Sequence, residues 1–389
     1  MAKRTSKPAT AKSAKGGTSP ARSRTARREV EAPAPEPLLR FDDIIGHERP
    51  IGILTSALTS KRVHHAWLFA GPSGVGKRTA ARAFASLLLD PTLNISSRGE
   101  VAVDPASPTQ ALIRAGAHPD LHQISKEHAV FSRHQPTRDS KQRTLAIEVL
   151  REFVIEPADR TAAMPAGLGS LASKVFIVDE ADFAADAGQN AMLKTLEEPP
   201  PGTVIILITS APNRLLPTIR SRCQTLVFAP LATSLMDQWL SRRGLELDAS
   251  QQGWLRAMAE GSPGEAMRII NTGVLEWQDA LERPLDDALR GGYVTSLAPT
   301  MANLIDAWAT ARTKENPDAS KEAARHAATH LMIRAIAARL RHHVARADNA
   351  PSAACHADAL ERLHEAQRQI DSNVQPIFVI DAWLAGLAR

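Results

Sequence analysis

Lys174-Val175-Phe176-Ile177-Val178-Asp179-Glu180-Ala181-Asp182 and, after one helical stretch stopping at Leu196-Glu197-Glu198-Pro199-Pro200, Thr203-Val204-Ile205-Ile206-Leu207-Ile208-Thr209-Ser210 decide the fold class. Two almost unbroken apolar runs, rich in β-branched residues and separated by a helix, predict neighbouring strands of a sheet covered on both faces. In such sheets ligands sit at the carboxyl ends of the strands. Asp179, Glu180 and the pair Thr209-Ser210 fall at those ends, so this stretch predicts one wall of a ligand site.

Upstream, His65-Ala66-Trp67-Leu68-Phe69-Ala70 reads as a short buried strand leading into Gly71-Pro72-Ser73-Gly74-Val75-Gly76-Lys77-Arg78. A helix follows, with Ala80, Ala83, Phe84, Leu87 and Leu88 on one face and a stop at Asp90-Pro91. Strand, glycine-rich loop, lysine and helix form the context of a phosphate-binding loop. Gly71, Gly74 and Gly76 let backbone N–H groups turn around phosphate oxygens, the helix start adds its positive end, and Lys77 supplies a mobile cation. The full pattern ends in Ser or Thr, whose hydroxyl holds magnesium. Here that position is Arg78, and Thr79 points about 100° further round the helix. The cradle is kept, while the case for hydrolysis is weakened. The competing reading is an ordinary glycine-rich turn, and the flanking strand and helix favour phosphate. With the loop in place, Asp179 is the candidate to orient a magnesium ion and Glu180 to polarise a water. Otherwise the two acids cap the next helix, where its dipole favours negative charge.

Downstream, Leu216-Pro217-Thr218-Ile219-Arg220-Ser221-Arg222-Cys223 presents Arg222 on a rigid approach. A planar guanidinium is well suited to stabilise charge on a transferring phosphate held by a neighbouring subunit; the alternative is a surface ion pair. Thr225 to Pro230 closes the sheet, and from Leu231 the pattern is helical throughout. Short helices carry Trp239, Trp254 and Ile269, and longer amphipathic ones follow from about Val274. Residues 348–352 read as a loop between two of these. Residues 91–145 are the least legible. A strand is expected at Asp120–Ile124, and Arg133 to Arg143 read as a polar loop. His118, His122, His128 and His134 have no compact metal-ligand spacing, so no zinc is expected. Ala146 to Val154 predicts a helix with Ile147, Leu150 and Val154 inward.

The chain has 389 residues and a net charge of +5, divided unevenly. Residues 1–37 hold nine Lys/Arg and three Glu, so the rest is nearly neutral and the basic balance belongs to the tail. That tail has too little apolar surface to fold alone and reads as a disordered basic arm; basic arms also bind phosphate nonspecifically, and transit peptides share the composition. Two cysteines, Cys223 and Cys355, build neither a disulfide framework nor a four-thiolate zinc site, which points to a reducing, cytoplasmic setting. No apolar run approaches the roughly 20 residues that cross a bilayer, so no membrane partner is expected.

Together these residues resemble the clamp-loader AAA+ family, most closely its bacterial delta-prime branch. Val175 to Asp182 stands at the family's Walker B strand, Gln189 to Pro200 matches its most recognisable helix, and Ser221-Arg222-Cys223 matches its SRC motif. Thr209 and Ser210 fall at the sensor-1 position, and Ile370 to Pro376 is similar to the final collar helices. The resemblance implies an α/β AAA+ P-loop domain over 38–230, a parallel sheet with helices on both faces. A small helical lid over 231–273 and an all-α collar over 274–389 would follow. It implies ATP with Mg2+ as the loop's ligand, Gly71, Gly74, Gly76, Lys77, Arg78, Thr79 and Ser210 as nucleotide-binding positions, and Arg222 as an arginine finger acting in trans beside Asp179 and Glu180. Implied partners are the gamma/tau motor and delta subunits of a hetero-pentamer, the sliding clamp and primer-template DNA. Motor subunits keep Ser or Thr after the lysine and an arginine in the sensor-2 helix. Here those positions are Arg78 and Gly264, which favours a finger donor with weak or no hydrolysis of its own. A motor ATPase and a scaffold with a vestigial loop are the alternatives.

Overall fold

A computed structural model describes residues 40–387 apart from 140–143, 165, 166, 168, 293, 316–319, 346–349 and 373; the expected basic tail lies outside the described residues. Five strands form a parallel sheet: β1 Ala66–Ala70, β2 Leu121–Ile124, β3 Lys174–Val178, β4 Thr203–Thr209 and β5 Gln224–Val227, in the order β2-β3-β4-β1-β5. The two deciding runs are direct neighbours, with Val175 opposite Val204 and Ile177 opposite Ile206.

The apolar runs are unbroken because each strand is buried on both sides. Trp67, Phe69, Val175, Ile177, Val204 and Ile206 face a layer that includes α1 (Glu48–Thr59) and α2 (Lys77–Leu89), packing on Leu54, Leu58, Phe84 and Leu88. The alternate residues Leu68, Phe176, Val178, Ile205 and Leu207 face Leu150, Val154, Leu196 and Ile219 on the other side. A two-residue side-chain period therefore needs two apolar layers. Helix α3, Asp186–Glu197, returns the chain from β3 to β4, and α4, Pro217–Arg222, leads into β5.

The remainder is helical: α5 Thr233–Arg242, α6 Ala249–Ala259, α7 Pro263–Asn271, α8 Trp277–Leu289, α9 Leu297–Glu315, α10 Lys321–Ala345, α11 Ala350–Asp371 and α12 Pro376–Leu387. This is an α/β class, a parallel sheet covered by helices on both faces with a glycine-rich loop between β1 and α2, followed by an all-α half. One apolar cluster joins Leu231 and Trp254 to Leu281, Leu331, Ile336 and Trp383, so packing is continuous across residue 273. Two ion pairs cross the same seam or reinforce it. Arg334 binds Glu265 at 2.6 Å and the Met258 carbonyl at 2.8 Å, and Arg339 binds Asp286 at 2.6 Å.

Three local expectations are corrected. Gln135–Arg138 forms a helical turn inside the expected polar loop, held by the Arg138 guanidinium donating to the Ser132 and Arg133 carbonyls. Helix α11 already starts at Ala350, where a loop was expected. The helix near Ala146 begins at Ile147 but relaxes into a π-turn over Arg151–Ile155 just ahead of Pro157, which has no N–H to give; Val149 rather than Ile147 is buried.

Candidate functional site

The glycine-rich loop joins β1 to α2, and its backbone conformation explains its composition. Gly74 and Gly76 have φ of +74° and +112°, a region that other side chains rarely adopt. Gly71 lies so close to Phe228 that a Cβ would fall 2.0 Å from that residue's carbonyl oxygen.

Five consecutive carbonyls of the loop are taken up by the rest of the chain. Lys77 Nζ donates to Gly71 O and Pro72 O, both at 2.6 Å. Ser262 Oγ donates to Ser73 O at 2.9 Å, and the Gly264 amide donates to Gly74 O at 2.8 Å. His47 Nε2 donates to Val75 O at 2.8 Å from a buried ring packed edge-on to Phe228. The loop is thus fixed from α1 on one side and from the start of α7 on the other, which leaves its amides to meet an anion. Burial pulls the Lys77 ammonium below the ordinary lysine range, with Asp179 and Asp182 opposing the shift. An ammonium has three donors, so two bonds to carbonyls leave one for a phosphate oxygen.

The loop opens into a cavity of about 950 Å³. Ser73, Gly74, Gly76, Lys77, Arg78 and Thr79 line one end, with Asp179 and Glu180; Ile44, Leu231, Trp239 and Met267 give the other end an apolar wall. Phosphates fit the first end and a base fits the second.

Magnesium does not fit. The ion needs oxygen ligands at about 2.0–2.1 Å in near-octahedral order. The position for a ligating hydroxyl is Arg78, which has no acceptor, and its Nη1 lies 3.7 Å from Asp179 Oδ2. Glu180, the residue placed to polarise a water, is paired with Lys126 Nζ at 3.1 Å. Each acid is therefore balanced by a cation of the same chain. Glu180 also sits at φ +52°, a strained backbone for a residue with a side chain.

The remaining expected site residues separate from this group. Ser210 donates through its amide to Asp182 Oδ1 at 3.1 Å, and Thr209 Oγ1 donates to the same oxygen at 2.8 Å, so Asp182 locks the end of β4. Neither Gly71 nor Ser210 lines the cavity; both shape the strand ends beneath it. Arg222 is also away from the cavity lining. Its guanidinium pairs with Glu197 at the end of α3 and donates to Thr218 O at 2.9 Å, with a third of the side chain exposed. Beside it, burial pushes the Cys223 thiol up to about 12, which makes it an inert packing group. The four histidines singled out above make separate contacts: His118 accepts from the Asp120 amide, His122 stacks on Phe176, His128 meets Ser125 and His134 meets Thr137.

Sequence reasoning missed Lys126, His47, Ser262 and Glu197. No local pattern couples any of them to its partner; each reaches the cavity's loop and acids or Arg222 through tertiary contact.

Residues 46–232 match the family described as DNA polymerase III, delta subunit. Over 228 residues the chain is 35% identical to DNA polymerase III subunit delta' of Pseudomonas aeruginosa, a match covering 57% of this chain and 61% of that one. It is 29% identical over 238 residues to DNA polymerase III subunit gamma/tau of Mycobacterium bovis, covering 59% of this chain and 36% of that one. A DNA polymerase III, gamma subunit-related protein from Thermotoga maritima is similar in structure over 86% of this chain and 98% of that one, at 15% identity and a TM-score of 0.41. The chain thus spans less than two thirds of the length of these two curated relatives.

Proposed function

We propose that this chain is a clamp-loader subunit of the delta-prime type, a reading supported by the match over residues 46–232 and by the 35% identity to a subunit delta', and that it serves ATP-dependent loading of the sliding clamp onto primed DNA in the cytoplasm. It does so within a hetero-pentamer with gamma/tau motor and delta subunits. Its chemical contribution is Arg222, offered in trans to ATP held by the adjacent motor subunit. It does not hydrolyse ATP in its own cavity.

One contrast carries this reading. The two acids at the end of β3 are each paired with a cation of the chain, while Arg222 stands apart from the chain's own cavity and partly in solvent. A motor subunit needs the reverse, with acids free for metal and water. The basic balance of residues 1–37 leaves the folded body without an electrostatic footprint for DNA, so contact with primer-template is assigned to the assembly.

The test is steady-state ATPase of the full chain alone, then mixed with its motor and delta subunits, clamp and primed DNA. The reading expects no turnover by the chain alone and stimulated turnover in the mixture. Brisk hydrolysis by the isolated chain would assign it to the motor class instead.

A further inference from the structure

The cavity over the glycine-rich loop is complete in everything except a place for metal. A phosphate-binding loop ordinarily meets its ligand with Mg2+, held by the hydroxyl after the lysine and a nearby carboxylate. Here the same two positions, Arg78 and Asp179, face each other as cation and anion 3.7 Å apart. We propose that this cavity holds a nucleoside di- or triphosphate without a metal ion, Arg78 supplying the countercharge that Mg2+ supplies elsewhere.

Four observations support this. The cavity has room, about 950 Å³, and is lined by loop glycines, Lys77 and Arg78 at one end and by Trp239 and Met267 at the other. That polarity matches a phosphate chain and a base. Arg78 is tethered and not locked: its side chain is 59% exposed and its separation from Asp179 is beyond hydrogen-bond range. A guanidinium so placed can turn from the carboxylate to a phosphate, where its planar fork makes paired, charge-assisted bonds. The second acid is engaged as well, since Lys126 holds Glu180 at 3.1 Å. Finally, the loop is already braced for occupancy by His47, Ser262 and Gly264, which hold its carbonyls outward.

The proposal goes beyond the trans-finger reading and is independent of it, because Arg222 takes no part in this cavity. It assigns the loop a holding role: a bound nucleotide would fix α7 and α2 around one ligand without being turned over.

Equilibrium titration of the full chain with fluorescent ADP and ATP analogues, in excess Mg2+ and in excess EDTA, tests it. The expected result is binding in both buffers with dissociation constants within about twofold of each other. Arg78→Thr restores the hydroxyl and removes the built-in cation. It should weaken binding in EDTA by about tenfold or more and make binding depend on Mg2+. Asp179→Asn frees Arg78 and removes a negative charge, so it should tighten binding in EDTA; a metal-using site would lose affinity instead. Arg78 is exposed enough for its variant to fold, and the unfolding midpoint serves as the control. A wild-type chain that binds only with Mg2+, a chain that binds in neither buffer, or Arg78→Thr binding as wild type in EDTA would each overturn the proposal. None of these outcomes bears on Arg222, whose effect is read in the assembled complex.

Discussion

Gly264 lies with its backbone against Gly74: its amide donates to the Gly74 carbonyl at 2.8 Å, and a Cβ on Gly264 would fall 2.7 Å from the Gly74 Cα. The position where a motor subunit of the resembling family carries an arginine is thus occupied by a residue that can have no side chain. The obstacle is loop backbone, which cannot swing aside as a side-chain tip would.

Gly264→Ala should therefore destabilise the chain by about 1–3 kcal/mol through overpacking. At an unconstrained helical position the same change gains up to about 1 kcal/mol, so the sign alone is informative. Urea denaturation of the two proteins measures it, and a variant more stable than wild type would show that α7 does not rest on the loop.

The Arg222–Glu197 pair is half in solvent, with side chains 34% and 46% exposed. Exposed pairs contribute about 0–1 kcal/mol, so Arg222→Ala and Glu197→Ala should each shift stability by no more than about 1 kcal/mol. Thermal unfolding checks this. A larger loss would mean that Arg222 holds the fold together, and its functional effects could not then be read as chemistry.

Under the proposed function, two paired acids, not one, keep the isolated chain from hydrolysing ATP. Neither Arg78→Thr nor Lys126→Ala alone should give it ATP turnover, because each frees one acid and leaves the other paired. Steady-state assays on both variants decide the matter. Robust hydrolysis by Arg78→Thr alone would place the whole block at the hydroxyl position.

Acid should loosen the helical half. Burial raises the Glu265 and Asp286 carboxyls, but hydrogen bonds and charge from Arg268 and Arg334, and from Arg339 and His343, outweigh it and hold both below the ordinary values of 4.5 and 3.8. A carboxyl depressed in the folded state contributes stability above its unfolded value and loses it as pH falls through the folded one. The unfolding midpoint should therefore drop as pH falls below 4.5, and Asp286→Asn should flatten part of that drop while lowering stability at neutral pH. A midpoint insensitive to acid would remove these pairs from the account.

Much of this was legible in the chain itself. Val175 to Val178 and Ile205 to Ile208 announce a doubly covered sheet because every residue of both faces has to be apolar. The glycines at 74 and 76 announce the loop because few other residues take positive φ. Arg78 stood out as a departure from the pattern, but its partner did not, since nothing local couples it to a strand end a hundred residues later. The same holds for Lys126 with Glu180 and for Ser262, which reaches Ser73 across 189 positions. Gly264 was visible only as a missing arginine; its steric reason needed the fold. Ser210 was expected at the ligand, yet the buried Asp182 carboxylate accepts its amide and claims it for the strand end.

The most direct measurement is ATPase of the reconstituted assembly with clamp and primed DNA, comparing wild type with Arg222→Ala and Arg222→Lys in this chain alone. An arginine finger contributes roughly 10³–10⁵ to the rate at the site it serves, and lysine cannot reproduce the planar fork. The account predicts that both variants assemble normally and that turnover attributable to the adjacent motor site is lost in both. Turnover equal to wild type in a complex carrying Arg222→Ala would contradict it.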